Sequence, residues 1–338
     1  MKLLLVCIDG VRVDLALPGH VAADPAFAAP DHPSDEKFSV GGPDRTLQPA
    51  EAQGYGALAP TLARLATGDE RSAGRVIPMW MTPPTDSGPG WASILTGSTH
   101  EECNVWWNEF VGHDLARRPD LLSRAFHANP MARTLVAATW DAFVKAPGPI
   151  FQQRLDQQRT GQHQVFYPDH RHGIAAADAE VAQWANWKLL HEGPDASVVY
   201  FEGVDAAGHA HGADSEEYRA AIRQADELTR HLVKAVSERH EQLGEDWLIA
   251  VTTDHGHKPE GGHGEDEVEV RRSFLITHRV GGALPEPVRD AGTLRAEQVM
   301  WLLLDAVGVR HGSWEDAAIG VQRGVESLGP TRNLAFEW

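Results

Sequence analysis

The sequence predicts an α/β protein whose central sheet is mostly parallel and carries helices on both faces. Three apolar runs, at residues 3–8, 197–201 and 247–252, have the length and composition of buried parallel strands. Segments with helical periodicity, among them residues 216–240, separate these runs along the chain. This alternation of strands and helices is typical of the α/β class. A chain of 338 residues is also long enough to bury a large core.

The other elements follow from local patterns. Residues 15–57 are rich in Pro, Gly, Ala and Asp and lack periodicity, which indicates an irregular insertion. Residues 98–175 are interpreted as a lid- or cap-like region, with a loop at 145–171. Further helices are predicted at 60–66, 91–96, 119–127, 174–192 and 296–304, and further strands at 75–79, 133–139 and 268–277. We interpret residues 1–338 as a single domain.

Composition excludes several classes of protein. The net charge of −18 argues against a nucleic-acid polymer as partner, because neutralising its phosphates needs a basic face. An acidic protein can still bind a small phosphorylated molecule if cations supply positive charge. Only Cys7 and Cys103 are present, so a disulfide framework is not expected. The apolar runs are too short for a signal peptide or a membrane span, so we expect a cytoplasmic protein without a membrane partner. The oligomeric state is not defined by the sequence.

Acidic residues stand at the predicted strand ends. Asp9 follows the first apolar run, Asp205 the second and Asp254 the third. The carboxyl ends of parallel strands meet at one edge of the sheet, where ligands bind in open α/β folds. Distant acids can therefore converge on one site, although each of them taken alone also fits a cap or turn residue.

Histidines accompany two of these acids. Asp205 and His209 are four residues apart and share one face of a helical turn, so both can reach one ion; a capping Asp and a surface His would look the same. His255 is adjacent to Asp254, and His263 follows a glycine-rich bend that can swing it toward a second ion. His257, between these two histidines, is not expected to be a ligand.

A serine stands before a predicted helix. Ser87 lies where backbone N–H groups and the helix dipole favour an anion, and a serine there can be a nucleophile if a metal lowers its pKa. The alternative is that Ser87 is only the helix N-cap. Combined with the acids and histidines, the pattern predicts two cation sites: Asp9, Ser87, Asp254 and His255 at one, and Asp205, His209 and His263 at the other. Such ligands suit Zn²⁺, with Mn²⁺ or Fe as alternatives, and two ions roughly 4 Å apart can clamp an in-line displacement at phosphorus.

These motifs resemble the alkaline phosphatase superfamily, and most closely its type I phosphodiesterase/nucleotide pyrophosphatase branch. The matching residues are Asp9-Gly10, Ser87 before Ile94-Leu95-Thr96-Gly97, Asp205-x-x-Gly-His209, Asp254-His255-Gly256 and His263. The resemblance implies an alkaline phosphatase-like three-layer sandwich and two metal ions, normally zinc. It also implies that Ser87 is the nucleophile, that a covalent phosphoserine forms, and that a small-molecule phosphodiester or pyrophosphate is hydrolysed.

The chain also departs from that branch. Nucleotide pyrophosphatases usually carry threonine as nucleophile and asparagine three residues later, where this sequence has Ser87 and Gly90. The backbone N–H near Gly88 or the Asn108 side chain are the candidates to replace the missing amide. Two further residues are candidates for substrate contact, each with a structural alternative: Trp91 as a stacking or a core residue, and Lys258 as a phosphate contact or a solvated loop residue.

Two alternative functions stay open at this point. The same bimetallic core could hydrolyse phosphate monoesters, phosphonates or sulfate esters. Neither cysteine lies in the Cys-x-Pro-x-Arg pattern of sulfatases, which argues against sulfate chemistry. The second alternative is a binding protein in which metal ions only stabilise the fold. The physiological substrate is not identified by the sequence.

Overall fold

The computed structural model describes residues 1–28, 58–145 and 149–309, and within them one eight-stranded sheet forms the centre of the molecule. Its strands are β1 (Lys2–Ile8), β2 (Gly74–Trp80), β3 (Thr134–Ala138), β4 (His163–Phe166), β5 (Ala196–Phe201), β6 (Trp247–Thr252), β7 (Arg272–Arg279) and β8 (Leu294–Arg295). Across the sheet they run in the order β4-β3-β5-β1-β6-β7-β2-β8. Only the pairings of β7, with β6 and with β2, are antiparallel within the described residues. The predicted mostly parallel sheet is confirmed.

The central strand β1 shows why buried strands of this sheet appear in the sequence as continuous apolar runs. It pairs with β5 on one side and β6 on the other, so that Leu5 lies between Val198 and Ala250. Successive side chains of a strand point to opposite faces. The alternate residues of β1 accordingly enter two separate hydrophobic cores: Leu3, Leu5 and Cys7 in one, and Leu4, Val6 and Ile8 in the other.

Helices cover both cores. One core contains buried residues of Ser87–Thr96, Leu121–Ala128 and Val299–Ala306, and the other contains buried residues of Ile174–Glu192 and Glu216–Leu243. The sheet is therefore the middle of three layers, as the resemblance implies.

The helix bounds agree with the sequence patterns for the long helices. The longest helix begins after Ser215, whose side chain accepts a hydrogen bond from Tyr218 N–H, and it ends before Gly244 at a φ of 68°. The described α-helices are Val13–Ala16, Pro18–Ala23, Pro60–Thr67, Ser87–Thr96, His100–Cys103, Leu121–Ala128, Asp141–Val144, Leu155–Arg159, Ile174–Glu192, Gly203–His211, Glu216–Leu243, Val268–Arg271, Glu286–Asp290 and Val299–Ala306. Short 3₁₀ turns are Pro25–Phe27, Leu115–Arg117, His170–His172 and Ala296–Gln298.

Three segments differ from the local sequence predictions. The strand predicted at 268–277 begins only at Arg272, because the N–H groups of Val270 and Arg271 donate to the Glu267 carbonyl oxygen and form the short helix Val268–Arg271. The insertion predicted at 15–57 lies outside the described residues from 29 onward, and its described part is helical, because Pro18 and Pro25 take first-turn positions. The loop predicted at 145–171, of which 146–148 lie outside the described residues, contains a short helix and the edge strand β4. Three of the four residues of β4 are partly exposed, which suits an edge strand.

The predicted lid region, residues 98–175, contributes β3 and β4 to the central sheet. That the rest of this region covers the site stays a prediction. Within residues 1–28, 58–145 and 149–309, none of the helices combines the length and the apolarity that a membrane crossing requires.

Candidate active site

The predicted site residues meet at one edge of the sheet. β5, β1 and β6 are neighbours and run parallel, so their carboxyl ends lie side by side. Asp9 directly follows β1, and Asp254 lies two residues beyond β6. Asp205 lies in the helix Gly203–His211, which begins immediately after β5 and the single residue Glu202. The three strand-end acids therefore converge in space, as expected for ligand-binding groups of a parallel sheet.

Four polar groups form the first cluster, which we define as Asp9, Ser87, Asp254 and His255. The Ser87 Oγ lies 3.4 Å from Asp9 Oδ1 and 3.2 Å from His255 Nε2. His255 Nε2 lies 3.3 Å from Asp9 Oδ1 and 3.3 Å from Asp254 Oδ2. A tetrahedral ion with bonds of roughly 2.0–2.1 Å to oxygen and nitrogen holds its ligand atoms roughly 3.3 Å apart. The spacing of the first cluster fits such an ion.

The electrostatics of the first cluster also fit a cation. Asp254 Oδ2 is buried and has no hydrogen-bond partner among the described residues. Burial, and then the negative charge of Asp205, raise the pKa of Asp9 well above its ordinary value. Burial, and then the charge of Asp9, do the same to the pKa of Asp254. Two buried carboxylates this close are costly unless a positive charge compensates them. A divalent cation would supply that compensation.

Neighbouring groups fix the direction of the first-cluster ligands. His255 Nδ1 lies 3.0 Å from the Gly256 carbonyl oxygen. A carbonyl can only accept, so Nδ1 carries the proton and Nε2 presents a free lone pair toward Ser87. Burial lowers the pKa of His255 well below its ordinary value, which keeps the ring neutral, as a metal ligand must be.

Hydrogen bonds from neighbouring side chains also fix the orientation of the Asp9 carboxylate. Its Oδ2 accepts hydrogen bonds from the Tyr200 hydroxyl and from the indole N–H of Trp91, the latter over 2.8 Å. The Trp91 and Tyr200 rings are buried and pack edge to face, with centroids 5.6 Å apart. This leaves Oδ1 of Asp9 for the first cluster. Such supporting hydrogen bonds orient ligands and tune a metal site.

The second cluster, which we define as Asp205, His209, His257 and His263, lies beside the first. His209 Nε2 and His263 Nε2 are 3.0 Å apart, and each is 3.5 Å from Asp205 Oδ1. These three atoms form a triangle of the size expected for ligands of one ion. His257, which the sequence leaves out of the ligand sets, also lies here, with Nε2 2.8 Å from Asp205 Oδ1. Burial acts to raise the pKa of Asp205, but the hydrogen bond from His257 and the neighbouring imidazoles bring this pKa below its ordinary value.

The loop after β6 connects the clusters. The rings of His255 and His263 are stacked, with centroids 3.7 Å apart and an interplanar angle of 18°. His263 Nδ1 lies 3.0 Å from the Thr85 carbonyl oxygen, so it donates there and leaves Nε2 free. Gly261 and Gly262 have φ of 101° and 85°, a region that favours glycine. The predicted glycine-rich bend thus places His263 across from the first cluster.

Ser87 is the first residue of its helix, and Asp86 occupies the N-cap position. The alternative that Ser87 serves only as the cap is therefore wrong, since its hydroxyl faces Asp9 and His255. The next residue, Gly88, donates its backbone N–H to Asn108 Oδ1 over 2.7 Å. The two candidate replacements for the missing amide are thus bonded to each other. Asn108 contacts the residue that follows Ser87, and the Gly88 N–H is already used.

The other two residues predicted to contact the substrate, Trp91 and Lys258, lie in different environments. Trp91 is fully buried and donates to Asp9, so the structure corrects the expectation that it stacks on a substrate: its packing in the core leaves no exposed face. Lys258 lies on the loop between the clusters, with Nζ 2.8 Å from a carboxylate oxygen of Glu265. Its role in phosphate contact stays a prediction.

Asp178 contacts the start of the helix that carries Asp205, and sequence reasoning did not single it out. From the helix Ile174–Glu192, its two carboxylate oxygens accept hydrogen bonds from the backbone N–H groups of Glu202, at 3.0 Å, and Gly203, at 2.8 Å. These groups start the helix that carries Asp205 and His209. Burial raises the pKa of Asp178 to about 6. The one sequence signal was a carboxylate on the apolar face of a predicted helix.

Comparison with known proteins agrees with this architecture. A family model described as type I phosphodiesterase / nucleotide pyrophosphatase matches residues 50–276. Among curated proteins, the catalytic subunit of human GPI ethanolamine phosphate transferase 3 is 27% identical over 285 residues, which cover 81% of this chain and 21% of that protein. The chain thus spans about a fifth of the length of this relative.

Solved structures share the fold. Human ectonucleotide pyrophosphatase / phosphodiesterase 5 superposes with a TM-score of 0.54 at 12% identity, covering 94% of this chain and 98% of that chain. The C-terminal periplasmic domain of EptC from Escherichia coli, in complex with zinc, gives a TM-score of 0.52 at 10% identity, with 93% and 84% covered. The predicted alkaline phosphatase-like fold class is confirmed.

Proposed function

The chain belongs to the type I phosphodiesterase / nucleotide pyrophosphatase family of the alkaline phosphatase superfamily, and on that premise we propose that it is a two-metal hydrolase of phosphodiester or pyrophosphate bonds. The observation that carries the proposal is the position of the Ser87 hydroxyl, 3.2 Å and 3.4 Å from two other groups of the first cluster. A serine that shares a cation site with buried carboxylates and an imidazole is set up as a metal-activated nucleophile.

Two divalent cations are the proposed cofactors. Asp9, Ser87, Asp254 and His255 would hold one, and Asp205, His209 and His263 the other. We favour Zn²⁺ because the ligand atoms are imidazole nitrogens and carboxylate oxygens at tetrahedral spacing, with Mn²⁺ or Fe as alternatives. When bound, the cations would neutralise phosphate oxygens and lower the pKa of the serine hydroxyl.

The chain supplies the groups for a two-step reaction. In the first step Ser87 Oγ forms a bond to phosphorus, the bond from phosphorus to the leaving oxygen breaks, and the serine proton goes to solvent while the leaving group takes up a proton. In the second step a water oxygen bonds to phosphorus, the bond to Ser87 Oγ breaks, and the hydroxyl is restored. The phosphoserine stands at the N-terminus of the helix Ser87–Thr96, where backbone N–H groups favour a phosphate. We assign the Asn108 side-chain amide to a phosphate oxygen, since it lies beside Gly88.

A second candidate function is transfer of the phosphoester group from the substrate to the hydroxyl of an alcohol. The relative matched over 81% of this chain is named an ethanolamine phosphate transferase. The chemistry of the first step is the same, and in the second step an alcohol hydroxyl takes the place of water. Product analysis in the presence of excess ethanolamine or glycerol distinguishes the two, because only a transferase gives the new phosphodiester.

The substrate is proposed to be a small phosphoester. A net charge of −18 disfavours a nucleic-acid polymer. The cytoplasmic location and the absence of a membrane partner stay predictions from the sequence.

The test measures hydrolysis of bis-p-nitrophenyl phosphate, p-nitrophenyl phosphate and p-nitrophenyl sulfate by protein loaded with Zn²⁺ or Mn²⁺, beside chelator-treated protein. We expect metal-dependent cleavage of the diester, faster than that of the monoester or the sulfate. If none of the three esters is cleaved in a metal-dependent way, the proposed hydrolase function is contradicted. Monoester or sulfate turnover far above diester turnover keeps the mechanism and replaces the diesterase with one of the alternative activities.

A further inference from the structure

His257 is the one member of the second cluster that the sequence leaves out of the ligand sets, and it contacts the proposed ligand Asp205. The ring is completely buried, and Nε2 lies 2.8 Å from Asp205 Oδ1. The same carboxylate oxygen is one corner of the triangle formed with His209 and His263. A buried imidazole at this distance either binds the ion itself or holds the carboxylate that does.

The hydrogen bonds around the three buried rings separate these possibilities. His255 and His263 each donate from Nδ1 to a backbone carbonyl, which leaves Nε2 free to bind a cation. His257 has the opposite arrangement: its buried Nδ1 has no hydrogen-bond partner among the described residues, and its Nε2 meets a carboxylate oxygen. An ionised carboxylate can only accept, so the proton of His257 sits on Nε2. A protonated nitrogen has no lone pair to offer a metal.

Close packing keeps the His257 ring in this position. A Cβ built on Gly208 would lie 2.6 Å from three atoms of the ring, and a Cβ on Gly10 would lie 3.0 Å from its Nε2. The Tyr218 ring meets it edge on, with centroids 5.8 Å apart. Since the ring fills the space left by two glycines, it has no room to turn away from Asp205.

We propose that His257 is a positioning residue of the second cation site, which donates a hydrogen bond to Asp205 and thereby orients that carboxylate toward the ion held by His209 and His263. This inference rests on the proposed two-metal function, but its test reads metal binding and not ester cleavage. It assigns the three histidines of the loop different tasks: His255 to the first ion, His263 to the second, and His257 to the support of Asp205.

The test compares His257→Ala, His257→Gln and His263→Ala with wild type and with the control His211→Ala, which removes an exposed histidine from the same helix as His209. Metal content is measured at saturating Zn²⁺, and the affinity for each ion by competition with a chelator. We expect His257→Ala to keep two equivalents while the affinity for the second ion falls roughly 10–100-fold, the usual effect of removing an outer-shell partner. His257→Gln, whose amide can donate to Asp205, is expected to recover most of that loss. His263→Ala is expected to lose one equivalent, and His211→Ala to match wild type.

Loading with Co²⁺ adds a spectroscopic reading. A lost ligand alters the visible absorption of the second ion, so His263→Ala should change the spectrum and His257→Gln should leave it as in wild type. A full equivalent lost from His257→Ala, or a changed spectrum in His257→Gln, would show that His257 is a ligand and overturn the proposal. An unchanged affinity in His257→Ala, or equal losses in the Ala and Gln variants, would reduce His257 to a packing residue. Failure of wild type itself to bind a second ion would instead contradict the two-metal function.

Discussion

The two clusters differ in how the fold holds them. Three residues of the first cluster, Asp9, Asp254 and His255, follow strand ends and are at most 1% exposed, and the fourth, Ser87, begins a helix. The second cluster lies on a helix and a glycine-rich bend, and the side chain of His209 is 52% exposed. Strand ends inside a sheet have little freedom, whereas a helix start and a loop need support from other elements. The first site is therefore organised by the sheet, and the second by its neighbours.

The supporting groups show the same contrast. In the first cluster both oxygens of Asp9 are engaged, one with the cluster and one with Tyr200 and Trp91. In the second cluster the support comes from outside the sheet, with Asp178 at the start of the helix and His257 under Asp205. We therefore expect changes at the first cluster to affect the chemistry, and changes around the second to affect the retention of its ion.

The largest expected effect is that of Ser87→Ala. It removes the proposed nucleophile while leaving Asp9, Asp254 and His255 in place, so kcat for bis-p-nitrophenyl phosphate should fall by roughly 10³-fold or more. The second ion should be retained, as measured by metal analysis. Ser93→Ala is the matched control, since Ser93 lies in the same helix and its buried hydroxyl has no partner among the described residues. Activity of Ser87→Ala within tenfold of wild type would exclude Ser87 as nucleophile.

The next effect concerns the support of the first ion. Tyr200→Phe removes one of the two donors to Asp9 Oδ2 without leaving a large cavity. We expect the affinity for the first ion to fall roughly 10–100-fold, with the second ion unaffected. Chelator competition measures both, with Tyr167→Phe as a control at a tyrosine outside the clusters. Equal weakening of both ions would show that the clusters do not have separate supports.

Metal removal should also distinguish the clusters in the unmodified protein. Because His209 is half exposed and the first cluster is buried, a chelator should remove the second ion first. We expect affinities that differ by at least about tenfold, which corresponds to about 1.4 kcal/mol. Asp205→Ala and Asp254→Ala assign each phase of the titration to a cluster. Simultaneous release, or release from the first cluster before the second, would contradict the comparison.

The smallest effect is expected from changes at the start of the helix Gly203–His211. Asp178→Asn and Asp226→Asn form a matched pair, because Asp226 caps the helix Pro60–Thr67 through the N–H groups of Thr61 and Leu62 at 3.1 and 2.9 Å. Each variant should lose about 1–3 kcal/mol of unfolding free energy, measured by denaturant titration below pH 6, where the contribution of Asp178 is still present. Only Asp178→Asn should also weaken the second ion, by a few-fold. Similar ion affinities in both variants would show that Asp178 does not support the second cation site.

The Asp178→Asn variant also tests how the unfolding free energy depends on pH. Burial raises the pKa of Asp178 from 3.8 to about 6, so folding favours its protonated form. Its contribution to the unfolding free energy is present below pH 3.8 and is lost as pH rises through about 6. The unfolding free energy of wild type should therefore fall relative to that of Asp178→Asn over this interval, in protein freed of metal. A constant difference across these pH values would contradict the raised pKa.

The sequence predicted the parts that depend on local patterns. Apolar runs identified β1, β5 and β6, because strands buried on both faces are nearly continuous in apolar residues. The glycines before His263 indicated a bend that other residues rarely adopt. Edge strand β4 was interpreted as a loop, because four residues, two of them polar and two apolar, are too few to give a periodic signal.

By itself the sequence determined the fold class and the convergence of Asp9, Asp205 and Asp254 at one edge, because parallel topology brings strand ends together however distant they are in the chain. Tertiary structure alone decided which atom faces which. Tyr200 meets Asp9 from 191 positions away, and His257 meets Asp205 from 52 positions away. Such contacts depend on how closely the layers pack, which no local pattern encodes. That packing turns a histidine left out of the ligand sets into the support of Asp205, and a candidate stacking tryptophan into the support of Asp9.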